Sequence, residues 1–137
     1  MATFISSSAL DTEEFGRRFA EQLRPGAIVA LKGDLGAGKT RFVKGLVDGL
    51  QSNAPVSSPT FTIIHEYSGG RLPIYHFDFF RLEDRDAASR IGLDEYLFGD
   101  GVSIVEWADR FLDLVPENAS WIDFEIKSEN ERAITVR

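Results

Sequence analysis

Gly33-Asp34-Leu35-Gly36-Ala37-Gly38-Lys39-Thr40 is the stretch whose reading decides the fold. Two glycines flank four free positions, and Lys then Thr follow: the spacing of a phosphate-binding loop. Glycine at 33, 36 and 38 opens backbone dihedrals closed to other residues, so consecutive N–H groups can turn inward and cradle phosphate oxygens. Lys39 then sets an ammonium against the outer phosphates, and the Thr40 hydroxyl is a magnesium ligand. Asp34, Leu35, Ala37 and Arg41 complete the candidate nucleotide-binding set.

Working outward, Ile28-Val29-Ala30-Leu31 is an apolar run of the kind that forms a buried parallel strand. On the other side, Phe42, Val43, Leu46, Val47 and Leu50 recur at helical spacing. Strand, glycine turn and helix is the context in which the motif binds a nucleoside triphosphate, with the helix dipole adding attraction for anions.

Further upstream, Thr3 to Ser6 suits a short edge strand. Asp11 and Glu14 resemble a capping box for a helix bearing Phe15, Phe19 and Leu23 on one face. The connection from Ser6 to Thr12 has two readings, contact with a nucleotide base or plain helix capping.

Downstream, Ser57-Ser58-Pro59-Thr60-Phe61-Thr62 is hydroxyl-rich and stiffened by a proline. Thr60 and Thr62 suit a segment that senses a terminal phosphate, or a loop that merely feeds a strand. Phe61 to Tyr67 and Leu72 to Phe80 then read as a hairpin across Ser68-Gly69-Gly70-Arg71. Alternation puts Ile74, His76 and Asp78 on one face and Tyr75, Phe77 and Phe79 on the other. A carboxylate in so aromatic a strand needs a partner. For Asp78 that is a metal or metal-bound water, or a structural cap. His65 and His76 read as structural, since no nucleophile pairs with them.

Glu83 to Ile91 and Leu93 to Phe98 follow as short helices. Val102-Ser103-Ile104-Val105-Glu106 is then an apolar strand ending in an acid, the placement a phosphate-loop enzyme uses to hold magnesium. Trp107 comes next, suited to walling the site, to a partner surface or to core packing. Asp109 and Arg110 read as solvating the following helix, Phe111 to Leu114. Trp121 to Lys127 and Ala133 to Arg137 alternate as a closing hairpin, with Ile122, Phe124, Ile126, Ile134 and Val136 inward.

At 137 residues and 43% apolar content, the chain is read as a single domain over 1–137. A formal net charge of −7 argues against a direct grip on nucleic acid, so any RNA would be held by another protein. Nothing reads as a membrane span or leader, and the lack of cysteine excludes disulfides and is compatible with a cytoplasmic location. The expected architecture is three-layered α/β of phosphate-loop NTPase type. Its central mixed sheet has a parallel core, antiparallel hairpin additions and flanking helices.

The phosphate loop, Ser58-Pro59-Thr60-Phe61-Thr62, His76-Phe77-Asp78-Phe79-Phe80-Arg81-Leu82 and Val105-Glu106-Trp107, in that order, resemble the TsaE (YjeE) family. The resemblance covers nearly the whole chain. It implies an ATPase required for threonylcarbamoyladenosine beside the tRNA anticodon, acting with TsaB and TsaD, with hydrolysis resetting the complex. It implies ATP or ADP held by Lys39 and the loop, and magnesium held by Thr40 and Glu106 with Asp78 nearby. It also implies a switch-like role for Thr60 to Thr62 and a link between Trp107 and activity. Phe80 stands where the family pattern has Tyr, so any role of that hydroxyl falls away.

The implied chemistry is phosphoryl transfer to water, with Lys39, Asp78 and Glu106 as the catalytic set. Arg41 and Arg81 are candidates for an arginine finger or simply surface or packing residues, so weak hydrolysis raised by a partner is expected. Two other readings stay open: a small-molecule kinase, and a nucleotide-gated assembly module with incidental hydrolysis.

Overall fold

The computed structural model describes residues 2–34, 36–56 and 63–137. Leu35, Thr60 and Thr62 lie outside the described residues. The strands are β1 (Ala2–Ser6), β2 (Ile28–Gly33), β3 (Ile64–Tyr67), β4 (Ile74–Asp78), β5 (Val102–Glu106), β6 (Ser120–Ile126) and β7 (Arg132–Val136). The α-helices are α1 (Ala9–Ala20), α2 (Lys39–Gly49), α3 (Arg85–Arg90) and α4 (Leu93–Leu97). Short 3-10 turns follow β4 at Phe79–Arg81 and β5 at Ala108–Leu114.

All seven strands form one sheet, in the order β1-β7-β6-β2-β5-β4-β3. β6, β2, β5 and β4 run parallel, with β3 antiparallel to β4 and β7 antiparallel to both β6 and β1. Each hairpin therefore gives one strand to the parallel core and one antiparallel strand outside it. The expected mixed three-layered sheet is present, and β2, the most apolar strand, lies at its centre.

The alternation of each strand sorts the core into two halves. Val29, Leu31, Ile74, Ile104, Ile122 and Ile134 pack under α1 and α2 with Phe19, Phe42, Val43 and Leu46. On the opposite face Ile28, Ala30, Phe77 and Val105 meet Phe79, Leu82, Ala87, Ala88, Leu93 and Leu97. Ile126 is the exception to the inward set of the closing hairpin. It pairs with Arg132 at the turn end, lies outside both cores and is 46% exposed.

Helix α1 begins one turn earlier than Asp11 and Glu14 suggest. Ser8 is the N-cap and accepts a hydrogen bond from the Asp11 N–H at 3.0 Å, while the Asp11 carboxylate accepts one from the Ser7 N–H. Asp11 is thus the third helical residue of the box, and Glu14 instead pairs with Arg17 and Arg18. Helices α1 and α2 meet backbone to backbone. A Cβ on Gly16 would lie 2.3 Å from the Phe42 carbonyl oxygen, and one on Gly45 only 1.9 Å from that of Glu13.

Candidate functional site

β2, β4 and β5 end together on one side of the sheet, at the carboxyl edge where open α/β sheets bind ligands. From β2 the chain turns through the glycine loop into α2. Gly36 at φ +80 and Gly38 at φ +102 both lie in the region that favours glycine, and Gly38 caps α2. The buried Ala37 anchors the turn from below. Asp34 is exposed on the turn, its carbonyl accepting from the Ala37 N–H at 3.1 Å. Thr40 sits in the first turn of α2, and the first N–H groups of a helix have no partner within it.

Lys39, the first residue of α2, is only 5% exposed. Its ammonium donates to the Gly33 carbonyl at 2.6 Å and sits 3.8 Å from the centre of the Trp107 ring. Burial pushes this ammonium below its ordinary pKa, while Glu106, Asp109, Asp78 and Asp34 pull it back up. Trp107 holds its ring there with a left-handed backbone at φ 56, rare for so bulky a residue and a form of strain found at functional sites. The Phe80 ring lies 5.3 Å from it.

Asp78 and Glu106 end adjacent parallel strands directly opposite each other in register. Alternation turns both side chains to the α2 side, in line with Ile74 and Ile104. The two carboxylates are close enough that Glu106, after burial itself, raises the Asp78 pKa above its ordinary value. The Phe80 N–H, Arg81 and His76 oppose the shift. Asp78 Oδ1 accepts from the Phe80 N–H at 3.0 Å, and Oδ2 lies 3.2 Å from Arg81 Nε. The structural-cap reading of Asp78 holds, since it caps a 3-10 turn, and the same carboxylate stands beside Glu106. Glu106 Oε2 is 2.5 Å from His76 Nε2, so His76 is tied to the acid pair.

The remaining candidate cations are spoken for. Arg41 pairs with Glu13 on α1 at 2.6 Å. Arg110 does not simply solvate its turn: it donates to the carbonyls of Phe79 and Phe80 and braces the turn after β4. Arg132, at the start of β7, donates to the Gly36 carbonyl at 3.2 Å, as well as to the carbonyls of Ser128, Glu129 and Glu131. Sequence reasoning missed these two arginines because nothing local marks a contact spanning 30 or 96 residues. For His76 a signal existed, its shared face with Asp78, but the pairing of β4 with β5 was needed to read it.

The donor set is compatible with magnesium and a nucleotide. Among the described residues no three His, Cys, Asp or Glu side chains close around a metal. Magnesium sites commonly use one or two carboxylates together with water and phosphate oxygens. Thr40, Glu106 and Asp78 are the residues that would hold it, beside a buried ammonium suited to phosphate.

Fold and site define a three-layered α/β domain whose phosphate-loop sequence occupies the turn between its central strand and a helix. Residues 6–134 match the model of the family described as threonylcarbamoyl adenosine biosynthesis protein TsaE. The chain is 44% identical over 125 residues to the tRNA threonylcarbamoyladenosine biosynthesis protein TsaE of Bacillus subtilis, covering 91% of this chain and 78% of that one. It is 40% identical over 132 residues to the protein of the same name from Treponema pallidum, covering 96% and 97%. The crystal structure of Bacillus subtilis YdiB superposes with a TM-score of 0.82 at 36% identity, over 98% of this chain and 83% of that one. The chain belongs to the TsaE family. Among the described residues no helix is long and apolar enough to cross a membrane.

Proposed function

We propose that this domain binds ATP with magnesium and hydrolyses it, and that hydrolysis serves threonylcarbamoyladenosine formation on tRNA in concert with TsaB and TsaD. The observation that carries this reading is the in-register pairing of Asp78 with Glu106, both within electrostatic reach of Lys39 at the mouth of the glycine loop.

The residues divide the work by their chemistry. Loop amides and the first turn of α2 receive phosphate oxygens, and Lys39 exchanges the Gly33 carbonyl for the outer phosphates. Glu106, fixed by His76, and the Thr40 hydroxyl are the metal-side oxygens. Magnesium, when bound, supplies positive charge against the phosphate oxygens. Asp78 faces the same space, and the acceptor capacity its oxygens keep beyond the Phe80 N–H and Arg81 would orient water. The water oxygen bonds to the terminal phosphorus as the bond to the ADP oxygen breaks, giving ADP, phosphate and a proton.

The engagement of Arg41, Arg81, Arg110 and Arg132 supports an incomplete site, because none of them is held ready for the transferring phosphoryl group. Slow turnover alone and faster turnover with TsaB and TsaD are therefore expected. Titration calorimetry with ATP and magnesium, followed by phosphate release with and without the two partners, tests the reading. No nucleotide binding would refute it entirely, and equal turnover in both conditions would refute the partner's role.

A further inference from the structure

His76 is fully buried in β4, and both its ring nitrogens are engaged. Nδ1 lies 3.0 Å from the Tyr67 hydroxyl and Nε2 lies 2.5 Å from Glu106 Oε2. A carboxylate accepts, so the bond to Glu106 is donated from Nε2–H, while Nδ1 on the other side of the ring meets the Tyr67 hydroxyl. Tyr67 is itself buried, 4% exposed, on the strand beside β4. The result is a hydrogen-bonded chain of Tyr67, His76 and Glu106, running from the core to the carboxyl edge. It is fully bonded: among the described residues no buried side-chain nitrogen or oxygen lacks a partner.

Such a chain answers a need set by the acid. Glutamate has one more rotatable bond than the aspartate that phosphate-loop enzymes commonly use to hold magnesium, so more rotamers must be frozen before it can act as a ligand. A bond from below to one carboxylate oxygen selects the rotamer and leaves the other oxygen for the site. Partners that orient ligating carboxylates in this way matter nearly as much as the ligands themselves.

We propose that His76, oriented by Tyr67, is a positioning residue that presets Glu106 for a divalent cation in the nucleotide complex. This rests on the nucleotide reading above. The test is the affinity for ADP, measured by calorimetry with and without magnesium, backed by direct manganese binding followed by electron paramagnetic resonance.

In His76→Phe the gain in ADP affinity conferred by magnesium should fall by about tenfold or more, the scale seen when such orienting groups are lost. Affinity without magnesium should stay within about twofold, since the loop and Lys39 are untouched. His76→Gln, which can return an N–H towards Glu106, should recover part of the loss, and Tyr67→Phe should show a smaller one. In a Glu106→Ala background, His76→Phe should cost nothing further. Should His76→Phe fail to fold, Tyr67→Phe decides by the same measurement.

An unchanged magnesium gain in the His76 and Tyr67 variants overturns the proposal, as does an equal loss with and without magnesium. A parent protein that binds ADP without any help from magnesium overturns it too, together with the metal part of the nucleotide reading. Failure confined to the variants leaves that reading standing.

Discussion

The ammonium nitrogen of Lys39 lies 3.8 Å from the centre of the Trp107 ring, held there by its hydrogen bond to the Gly33 carbonyl. The residue the motif assigns to phosphate thus rests on two partners of its own chain, an arrangement that a bound phosphate would displace. Nucleotide with magnesium should therefore change tryptophan emission saturably, and Trp107→Phe should abolish the change. The second tryptophan, Trp121, packs with Arg137 and is not involved. Lys39→Ala should weaken nucleotide affinity about tenfold to a hundredfold, the loss of a charged hydrogen bond of roughly 1.5–3 kcal/mol.

Asp78 is expected to trade stability for function. Its raised pKa means that the neutral carboxyl confers stability fully present below the unfolded value and lost as pH rises through the higher folded value. At neutral pH without magnesium or nucleotide, the ionised group is a cost. Asp78→Asn keeps a cap acceptor for the Phe80 N–H and sheds the charge. Its thermal midpoint should rise by about 1–3 °C at neutral pH, and the advantage should shrink on acidification. A melting series against pH reads this directly.

Arg132 ties the β6–β7 turn to the glycine loop through the Gly36 carbonyl. Its removal should loosen the loop with little effect on the fold, since the guanidinium is exposed. Arg132→Ala is expected to lower nucleotide affinity about fivefold, near 1 kcal/mol, and Arg132→Lys should not restore it because an ammonium lacks the fork that spans several carbonyls. Calorimetry on the three proteins makes the comparison.

Gly45 tests the helix crossing. On propensity alone, Ala there would stabilise α2 by about 1 kcal/mol. The added Cβ would instead lie 1.9 Å from the Glu13 carbonyl oxygen and force α1 and α2 apart. Gly45→Ala should destabilise by about 3 kcal/mol, measured by chemical denaturation, reversing the sign that propensity gives.

The amino-acid order alone makes legible whatever short-range pattern encodes. The strand–glycine–helix corner at 28–50, the alternation of 74–78 and 121–127 and the apolar run that ends at Glu106 each announce themselves within a short stretch of sequence. Pairing between distant strands leaves no such mark. That β6 runs beside β2 and that β4 sets Asp78 opposite Glu106 are facts of register. The roles of His76, Arg110 and Arg132 depend on contacts of this kind. Ser8 is hidden for a different reason: Ser8 and Asp11 both suit a cap, and only the hydrogen bonds show which begins the helix.

The neighbour relations at one sheet edge bear on how the chain matures. β1 pairs with β7 alone, Ala2 opposite Val136 and Ser6 opposite Arg132. On a ribosome adding about 5–20 residues each second, the first strand to emerge must wait several seconds for the strand that receives it. Throughout that interval the edge of β2 that β6 will cover is open as well. Newly made protein is thus most vulnerable to chaperone capture or mispairing until the final hairpin arrives.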